Sequence, residues 1–397
     1  MRILITNESR SAAGGIETYL KTLAPFLIEK GHEVGWLFGH SPSFGPLICN
    51  EDAKKVWTTN PATLETVRAE IYEWQPNVIY ANGLHDPHWD TWLAKRYPTA
   101  YFAHGYFGTC ISGRKCHGAA GYEICSRKLG PVCLLHYFPK RCGGRSPIRM
   151  VKDYRRERHR QRNLQNFSAV LVASNYMIKE YERHGVASDR LHIAPLFPTG
   201  ILPDPAPPVK RSIWTNRVLM VGRLTELKGT SIACEAVSLA AKILARTLTF
   251  VVTGDAPGRE RLEREASLHL VPVEMLGWTS SERRNVEMRN ADALLVPSLW
   301  PEPFGLVGVE AGCVGLPAVA FDVGGIGDWL KSGRSGELVT TARPNATLLG
   351  EALAKSLSNS DYHQQLRLGA WAVSCQFQID HHVDQLISIF AGVSNNK

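Results

Sequence analysis

The stretch EPFGLVGVE, residues 302–310, sets Glu302 and Glu310 on either side of a Gly-containing turn that leads into an apolar, helix-forming run. With a helix start near Phe304, Glu302 stays in the preceding loop and Glu310 lies more than a turn inside. That separates the carboxylates by up to about 12 Å at 1.5 Å per residue, the reach of a nucleotide diphosphate sugar. Between them lie the unpaired backbone N–H groups of the helix start, at Phe304, Gly305 and Leu306, where the macrodipole favours an anionic diphosphate. One segment therefore predicts a sugar, a diphosphate and a ribose held in series. The competing reading is a solvated helix face. Against it, Glu310 is embedded in VGVEAGCVGLPAVAF, where an acid without a partner carries a desolvation cost of several kcal/mol.

Two cations form a second constellation. Arg223 and Lys228 in VGRLTELKGT, residues 221–230, leave the end of a predicted strand five residues apart. Both can meet one diphosphate and stabilise it as a leaving group; ordinary surface charge is the plain alternative. A third feature is the double glycine in AAGGIETYL, residues 12–20. Gly14 and Gly15 open a predicted helix where the backbone can approach a phosphate or sugar closely, although plain turns use Gly pairs as well.

The elements that must position these residues repeat in a βαβ pattern. RILIT (2–6), EVGWLF (33–38), NVIYAN (77–82), AYFAH (100–104), AVLVAS (169–174) and LHIAP (191–195) are predicted buried strands, with amphipathic stretches such as ETYLKTLAPFLIEKG (17–31) between them. The Pro-dense segment PLFPTGILPDPAPPVK (195–210) fits an extended linker. The pattern restarts with RVLMVG (217–222), LTFVVTG (248–254), VEMLGW (273–278), ADALLVPS (291–298) and LPAVAFD (316–322). The expected class is α/β, with two doubly wound Rossmann-like domains facing across a cleft and ligands beyond the carboxyl ends of the strands. The boundaries are 1–195 for an N-terminal acceptor domain, 196–211 for the linker, 212–375 for a donor domain, and 376–397 for a C-terminal helix packing back on the first domain.

At 397 residues and 44% hydrophobic content the chain is large enough for two cores, and its formal charge of +8 is unevenly placed. Residues 110–163 carry 14 Lys and Arg against Glu123, Asp153 and Glu157, while the remainder is slightly acidic. That excess points to a polyanionic or anionic membrane-surface partner, or to a solvated basic helix around KDYRRERHRQR. Cys110, Cys116, Cys125, Cys133 and Cys142 crowd the same segment, with His117 and His136 nearby. Without a C-x-x-C knuckle, zinc binding, disulfides and reduced packing thiols all stay open. The N-terminal apolar run is too short for a signal peptide, and no run nears the roughly 18 apolar residues of a membrane span. The expected location is cytoplasmic, with peripheral contact at the inner face of the membrane.

Taken together, GGIETYL, the AHG at 103–105, VGRLTELKG, VVTGDAPG, the LGW at 276–278, EPFGLVGVE with GLPAVAFDVGGIGD, and the closing helix near 383–393 resemble family 4 of the retaining nucleotide-sugar glycosyltransferases, which have the GT-B architecture. The resemblance covers nearly the whole chain and is strongest over 221–329. It implies that Glu302 contacts the donor sugar, Glu310 the ribose, and Arg223 and Lys228 the diphosphate. It further implies that Gly14 and Gly15 approach the donor, that Gly254, Trp278, Phe304, Gly305 and Leu306 complete donor binding, and that His104 lines the reaction centre. Without the family match, His104 also fits a satisfied core histidine. GGIGD departs from the family by placing Gly327 and Asp328 where Pro and Glu are usual.

The expected reaction is transfer of a glycosyl group from a UDP-sugar or GDP-sugar to a saccharide or lipid-linked acceptor, with retained anomeric configuration. Retaining hydrolases use two carboxylates about 5 Å apart across the bond, a role that a glutamate pair straddling a helix start does not suit. A front-side displacement fits better, the departing phosphate oxygen accepting the acceptor's proton while Arg223 and Lys228 stabilise developing charge. The chain lacks an Asp-x-Asp diphosphate–metal signature, so no metal and no other cofactor is expected. Two other classes share parts of the pattern. A sugar-nucleotide epimerase of the same architecture would change the donor without an acceptor. A nucleic-acid-binding protein would use the basic segment, but nucleic acid is not an expected partner because no recognised motif or aromatic platform accompanies the charge.

Overall fold

A computed structural model of the chain describes residues 1–11, 14–40, 47–49, 55–118, 123–255 and 258–395. Ala12 and Ala13 of AAGGIETYL and Ala256 and Pro257 of VVTGDAPG lie outside the described residues. The chain divides into two compact units, the first Met1–Lys115, Ser126–Pro195 and Ile379–Lys397, the second Cys116–Cys125 and Leu196–Gln378.

Among the described residues the first unit holds β1 (Arg2–Asn7), β2 (Glu33–Phe38), β3 (Val56–Thr58), β4 (Val78–Ala81), β5 (Thr99–Ala103), β6 (Ala169–Val172) and β7 (Leu191–Ile193). They form one parallel sheet in the order β3-β2-β1-β4-β5-β6-β7. The second unit holds β8 (Arg217–Val221), β9 (Thr249–Thr253), β10 (Val273–Gly277), β11 (Ala293–Val296), β12 (Ala318–Phe321) and β13 (Gly336–Val339), parallel in the order β10-β9-β8-β11-β12-β13. β4, β6, β11 and β12 are buried at every position, as a parallel sheet covered on both faces requires. Their unbroken Val, Ile, Leu and Ala runs are what made them legible. β3 and β13 carry weaker signals, a three-residue VWT and a GELV with a buried glutamate.

Each sheet reverses its order once, between β1 and β4 and between β8 and β11. The crevice beyond the carboxyl ends at such a switch point is where doubly wound sheets bind ligands. The loops that leave β1, β8 and β11 carry Gly14 and Gly15, Arg223 and Lys228, and Glu302, while His104, Gly254 and Trp278 follow β5, β9 and β10.

Three segments each group apart from a neighbour in the chain, the C-terminal helix among them. The helix Ile379–Asn395 belongs to the first unit, where His382, Val383, Leu386 and Phe390 are buried. Its Gln385 amide donates to the Ile193 carbonyl at 2.6 Å. The Pro-rich stretch 196–211 is strapped along the second unit: Phe197 and Ile201 are buried, and the Asp204 N–H donates to Cys313 O at 2.8 Å. Residues 116–125 also group with the second unit, with the Cys116 thiol donating to the Leu299 carbonyl at 3.8 Å.

The rest of the Cys-rich insertion folds on a small core of Ile111, Leu129, Tyr137 and Cys142, against which Cys133, Leu134, Met150 and Tyr154 pack. A buried Lys115–Glu180 ion pair at 2.6 Å anchors it. His184 accepts the Leu129 N–H at 3.0 Å through Nε2 while Nδ1–H donates to Glu180 O at 2.8 Å; burial lowers its pKa to about 4 and keeps it neutral. Among the described residues Cys110 and Cys125 of this segment form no disulfide. Among the described residues no three His, Cys, Asp or Glu side chains are grouped to hold a metal. No helix among the described residues is long and apolar enough to cross a membrane.

Candidate active site

In the second unit, glycines bring the loops of the switch point into contact. Gly254, after β9, has φ +127, and a Cβ there would lie 2.0 Å from the Gly222 carbonyl oxygen after β8. Gly229 has φ +74, and its Cβ would meet the Pro297 oxygen at 1.8 Å. No L side chain fits either position, so glycine alone lets the turn that carries Lys228 press against the end of β11. The Leu299 N–H then donates to Leu227 O at 2.8 Å.

That approach places Lys228 Nζ 2.6 Å from Glu302 Oε1. The same oxygen accepts hydrogen bonds from Ser298 Oγ at 2.6 Å and Trp300 Nε1 at 2.8 Å. Glu302 is 4% exposed, yet all three bonds fall on Oε1 and Oε2 takes none among the described residues. The main chain is fixed as well: Glu302 O accepts the Gly325 N–H at 2.7 Å, and Gly324 forms a parallel bridge to Glu302. The GGIGD segment thus holds the glutamate by its backbone. Arg223 is exposed, and its guanidinium has no partner among the described residues.

The helix after Glu302 spans Leu306–Gly312, starting two residues later than the sequence predicts, because Gly305 adopts φ +82 as its N-cap. Phe304, Gly305 and Leu306 leave their N–H groups without a protein acceptor among the described residues. Phe304 is buried, its carbonyl taken by Trp329 Nε1–H at 2.7 Å and its ring 5.4 Å from that of Phe377. Glu310 is also buried, and Oε1 accepts from Thr199 Oγ1 at 3.2 Å, Thr199 N at 3.4 Å and Arg284 Nη2 at 3.5 Å. Burial raises its pKa, while Arg284 and Thr199 pull the other way. As in Glu302, Oε2 has no protein partner among the described residues. Trp278, following β10, is 74% exposed.

The first unit has a cavity of about 260 Å³ at the carboxyl ends of β1, β4 and β5, with Asn7, Asn82 and His104 at the strand ends and Tyr101, Leu164 and Phe167 among its apolar lining. His104 stacks on Phe102 at 4.5 Å, and its Nε2–H donates to Asn82 Oδ1 at 2.8 Å. Burial, with His382 nearby, lowers its pKa to about 3. The ring is therefore neutral and offers Nδ1 as a free acceptor. Behind it His382 Nδ1–H donates to the Pro195 carbonyl at 2.8 Å, so His382 Nε2 must accept from Tyr19 O–H at 2.7 Å, and Tyr19 in turn takes the Tyr80 hydroxyl at 2.6 Å. Gly14 caps the helix Gly15–Glu29, and a Cβ on Gly15 would meet nothing within 4 Å.

The structure thus joins Lys228 to Glu302 and sets Gly254 against Gly222, next to Arg223, while His104 lines the cavity of the first unit. It adds residues that sequence reasoning missed: Ser298, Trp300, Thr199 and Arg284 in the second unit, Asn82, Asp90 and Arg160 in the first. Ser298 and Trp300 stood two to four residues from Glu302 at the end of a predicted strand, a signal within reach. Thr199 and Arg284 are distant in sequence from Glu310 and carried none.

Two doubly wound α/β units, each with a parallel sheet that reverses its strand order once, make up the GT-B architecture of glycosyltransferases. The family model for glycosyl transferases group 1 matches residues 214–370, and that for glycosyltransferase family 4 matches residues 13–197. The chain belongs to this glycosyltransferase family. It is 29% identical over 232 residues to a D-inositol 3-phosphate glycosyltransferase of Xylanimonas cellulosilytica, a match covering 54% of each chain. The chain thus spans about half the length of that relative. Among solved structures, sucrose-phosphate synthase from Thermosynechococcus elongatus superposes with a TM-score of 0.71 at 18% identity over all of both chains. Anabaena HepE, solved in complex with UDP, gives 0.69 at 18% identity over 99% of this chain and 100% of its own.

Proposed function

We propose that this glycosyltransferase moves a sugar from a nucleotide diphosphate sugar to a saccharide or lipid-linked acceptor, with retention, in the biosynthesis of a cell-surface polysaccharide or glycolipid. The observation that carries the donor assignment is the state of the two glutamates. Each is buried and bonded through Oε1 alone, so each holds one fixed carboxylate oxygen ready for hydroxyl groups, Glu302 for the sugar and Glu310 for the ribose. UDP is favoured over GDP because HepE binds UDP and UDP-glucose. Arg223 and Lys228 meet the diphosphate and stabilise it as the bond to the sugar breaks, so that two side-chain cations take the part a divalent ion plays elsewhere. The acceptor enters the first unit beside His104, whose free Nδ1 accepts a hydroxyl. The leaving phosphate oxygen receives the proton in a front-side displacement.

The partner on the acceptor side is an anionic membrane at the cytoplasmic face, approached by the insertion. Val132, Leu135, Phe138, Ile148 and Val151 are exposed there beside Arg141, Arg145, Arg149 and Lys152, an amphipathic composition that suits a lipid headgroup region.

The donor assignment is tested with Glu302→Gln and Glu310→Gln. The first is expected to lower turnover and the second to weaken nucleotide binding, because their contacts lie at opposite ends of the donor. Equal and negligible effects of both would remove it.

A further inference from the structure

Asp90 lies in the cavity of the first unit, on the helix Pro87–Ala94. It is 3% exposed, and its Oδ1 is buried with no hydrogen-bond partner among the described residues. Buried carboxyls are ordinarily paired or bonded, since leaving one bare costs folding energy. Donors that line the same cavity make their bonds elsewhere. Asn163 accepts from Thr91 at 2.8 Å and donates to the Pro87 carbonyl at 2.8 Å. Arg160 bonds Glu157 Oε1 at 2.7 Å and the Leu84 carbonyl at 2.8 Å, and Arg156 bonds Asp153 at 2.9 Å and Glu157 at 3.2 Å.

The unused polar groups of the cavity are therefore acceptors, the Asp90 carboxyl and His104 Nδ1, and its two arginines are already neutralised. Glu8 and Glu17 add further negative charge to the lining. Tyr101, Phe107 and Phe167 supply aromatic faces for C–H groups. A lining of free acceptors and aromatic faces matches a ring that carries many hydroxyl donors, and it opposes one that carries a phosphate.

We propose that this cavity is a subsite for one uncharged, hydroxyl-rich ring, and that Asp90 takes a hydroxyl hydrogen bond from it and discriminates against phosphorylated rings. The proposal rests on the first unit being the acceptor side, and it specifies which acceptors that unit takes. Its volume, below the roughly 300 Å³ at which pockets for drug-sized ligands begin, limits the occupant to about one ring.

The test is ligand-observed NMR on the full chain without donor nucleotide. The probes are the methyl glycosides of glucose, galactose and mannose, with myo-inositol, each against a monophosphate of the same ring. At least one uncharged ring is expected to bind, and its phosphate about tenfold more weakly or worse. Measured above pH 8, where the carboxyl is ionised, Asp90→Asn is expected to weaken the uncharged ring by about tenfold, the scale of one hydrogen bond to a charged group. Its melting temperature should be unchanged or higher and its UDP affinity unaltered, which a merely structural role would not give. A phosphorylated ring that binds as well as its parent, or absence of binding by every uncharged ring, overturns the proposal; this comparison needs no variant. Unaltered ring binding by folded Asp90→Asn overturns it too. A ring that binds but receives no sugar from any nucleotide sugar leaves the subsite standing and removes the acceptor reading instead.

Discussion

Glu302 and Lys228 look independent in sequence, 74 residues apart, yet at 2.6 Å they are one unit. Removing either leaves the other partly buried with its charge unmet, so their effects on donor binding should not add. A double-mutant cycle on Glu302→Gln and Lys228→Gln is expected to give a coupling of about 1–3 kcal/mol; additive losses would mean the pair does not act together. Asp90 makes a second prediction at this scale. Burial pushes its carboxyl up to about 7, with the charge of Arg160 opposing, while in the unfolded chain it titrates near the ordinary value of about 4. Between these values the folded state keeps a proton that the unfolded state releases. Its contribution to stability is thus fully present below pH ~4 and is lost as pH rises toward 7. Urea melts of the parent and Asp90→Asn should diverge over that range, the parent losing stability relative to the variant by up to a few kcal/mol.

At the scale of elements, three glycines in the family motifs do different work. Gly308 lies inside the helix Leu306–Gly312, where a Cβ would fall 1.9 Å from the Trp329 ring. Trp329 also holds the Phe304 carbonyl, so Gly308→Ala should displace the turn between the two glutamates. Overpacking of this kind costs about 1–3 kcal/mol, and chemical denaturation should show it. Gly229→Ala should be at least as damaging, since the residue also has φ +74. Gly15 has open space above it in the first turn of its helix, so Gly15→Ala should stabilise the fold by about 0.5–1 kcal/mol. If that backbone lies against a ligand, the same substitution lowers turnover. A variant that melts higher and turns over as before would free Gly15 of any such role.

For the whole molecule, the structure redistributes the basic segment. Arg156 and Arg160 of the helix Pro147–Asn163 are paired with Asp153 and Glu157, and Arg158 bonds Gln161, leaving Arg155 as the exposed cation of the four arginines between 155 and 160. The four are therefore a poor target for testing membrane contact. Met150 and Tyr154 turn inward to the small core, while Ile148, Val151, Lys152 and Arg155 stay outside. Leu135 and Ile148 are 75% and 70% exposed. Leu135→Ser with Ile148→Ser should weaken binding to vesicles containing anionic lipid at any salt concentration. Arg149→Gln with Lys152→Gln should weaken it chiefly at low salt, where screening is slight. UDP affinity should not change in either pair. Vesicle binding that is absent from the parent, or intact in both variants, would end the membrane assignment.

The fold class, and the residues of the proposed donor site, are legible in the sequence alone. Buried parallel strands must be continuous apolar runs, and glycines at strand ends and the EPFGLVGVE segment are local signals that survive without a structure. The sequence also marks Glu310 as an acid in an apolar run, and so as an acid in need of a partner. Only the tertiary structure decided what the partners are: Thr199 and Arg284 for Glu310, Lys228 with Ser298 and Trp300 for Glu302. Side-chain contacts between strand ends depend on sheet order, and β8 lies beside β11 although β9 and β10 intervene in the chain. The same holds for the His382 partner of Tyr19, 363 positions away, and for Asp90. Nothing in DPHWDTWL marks that carboxyl as bare. Its state follows from where Asn163 and Arg160 spend their hydrogen bonds, which no local pattern records.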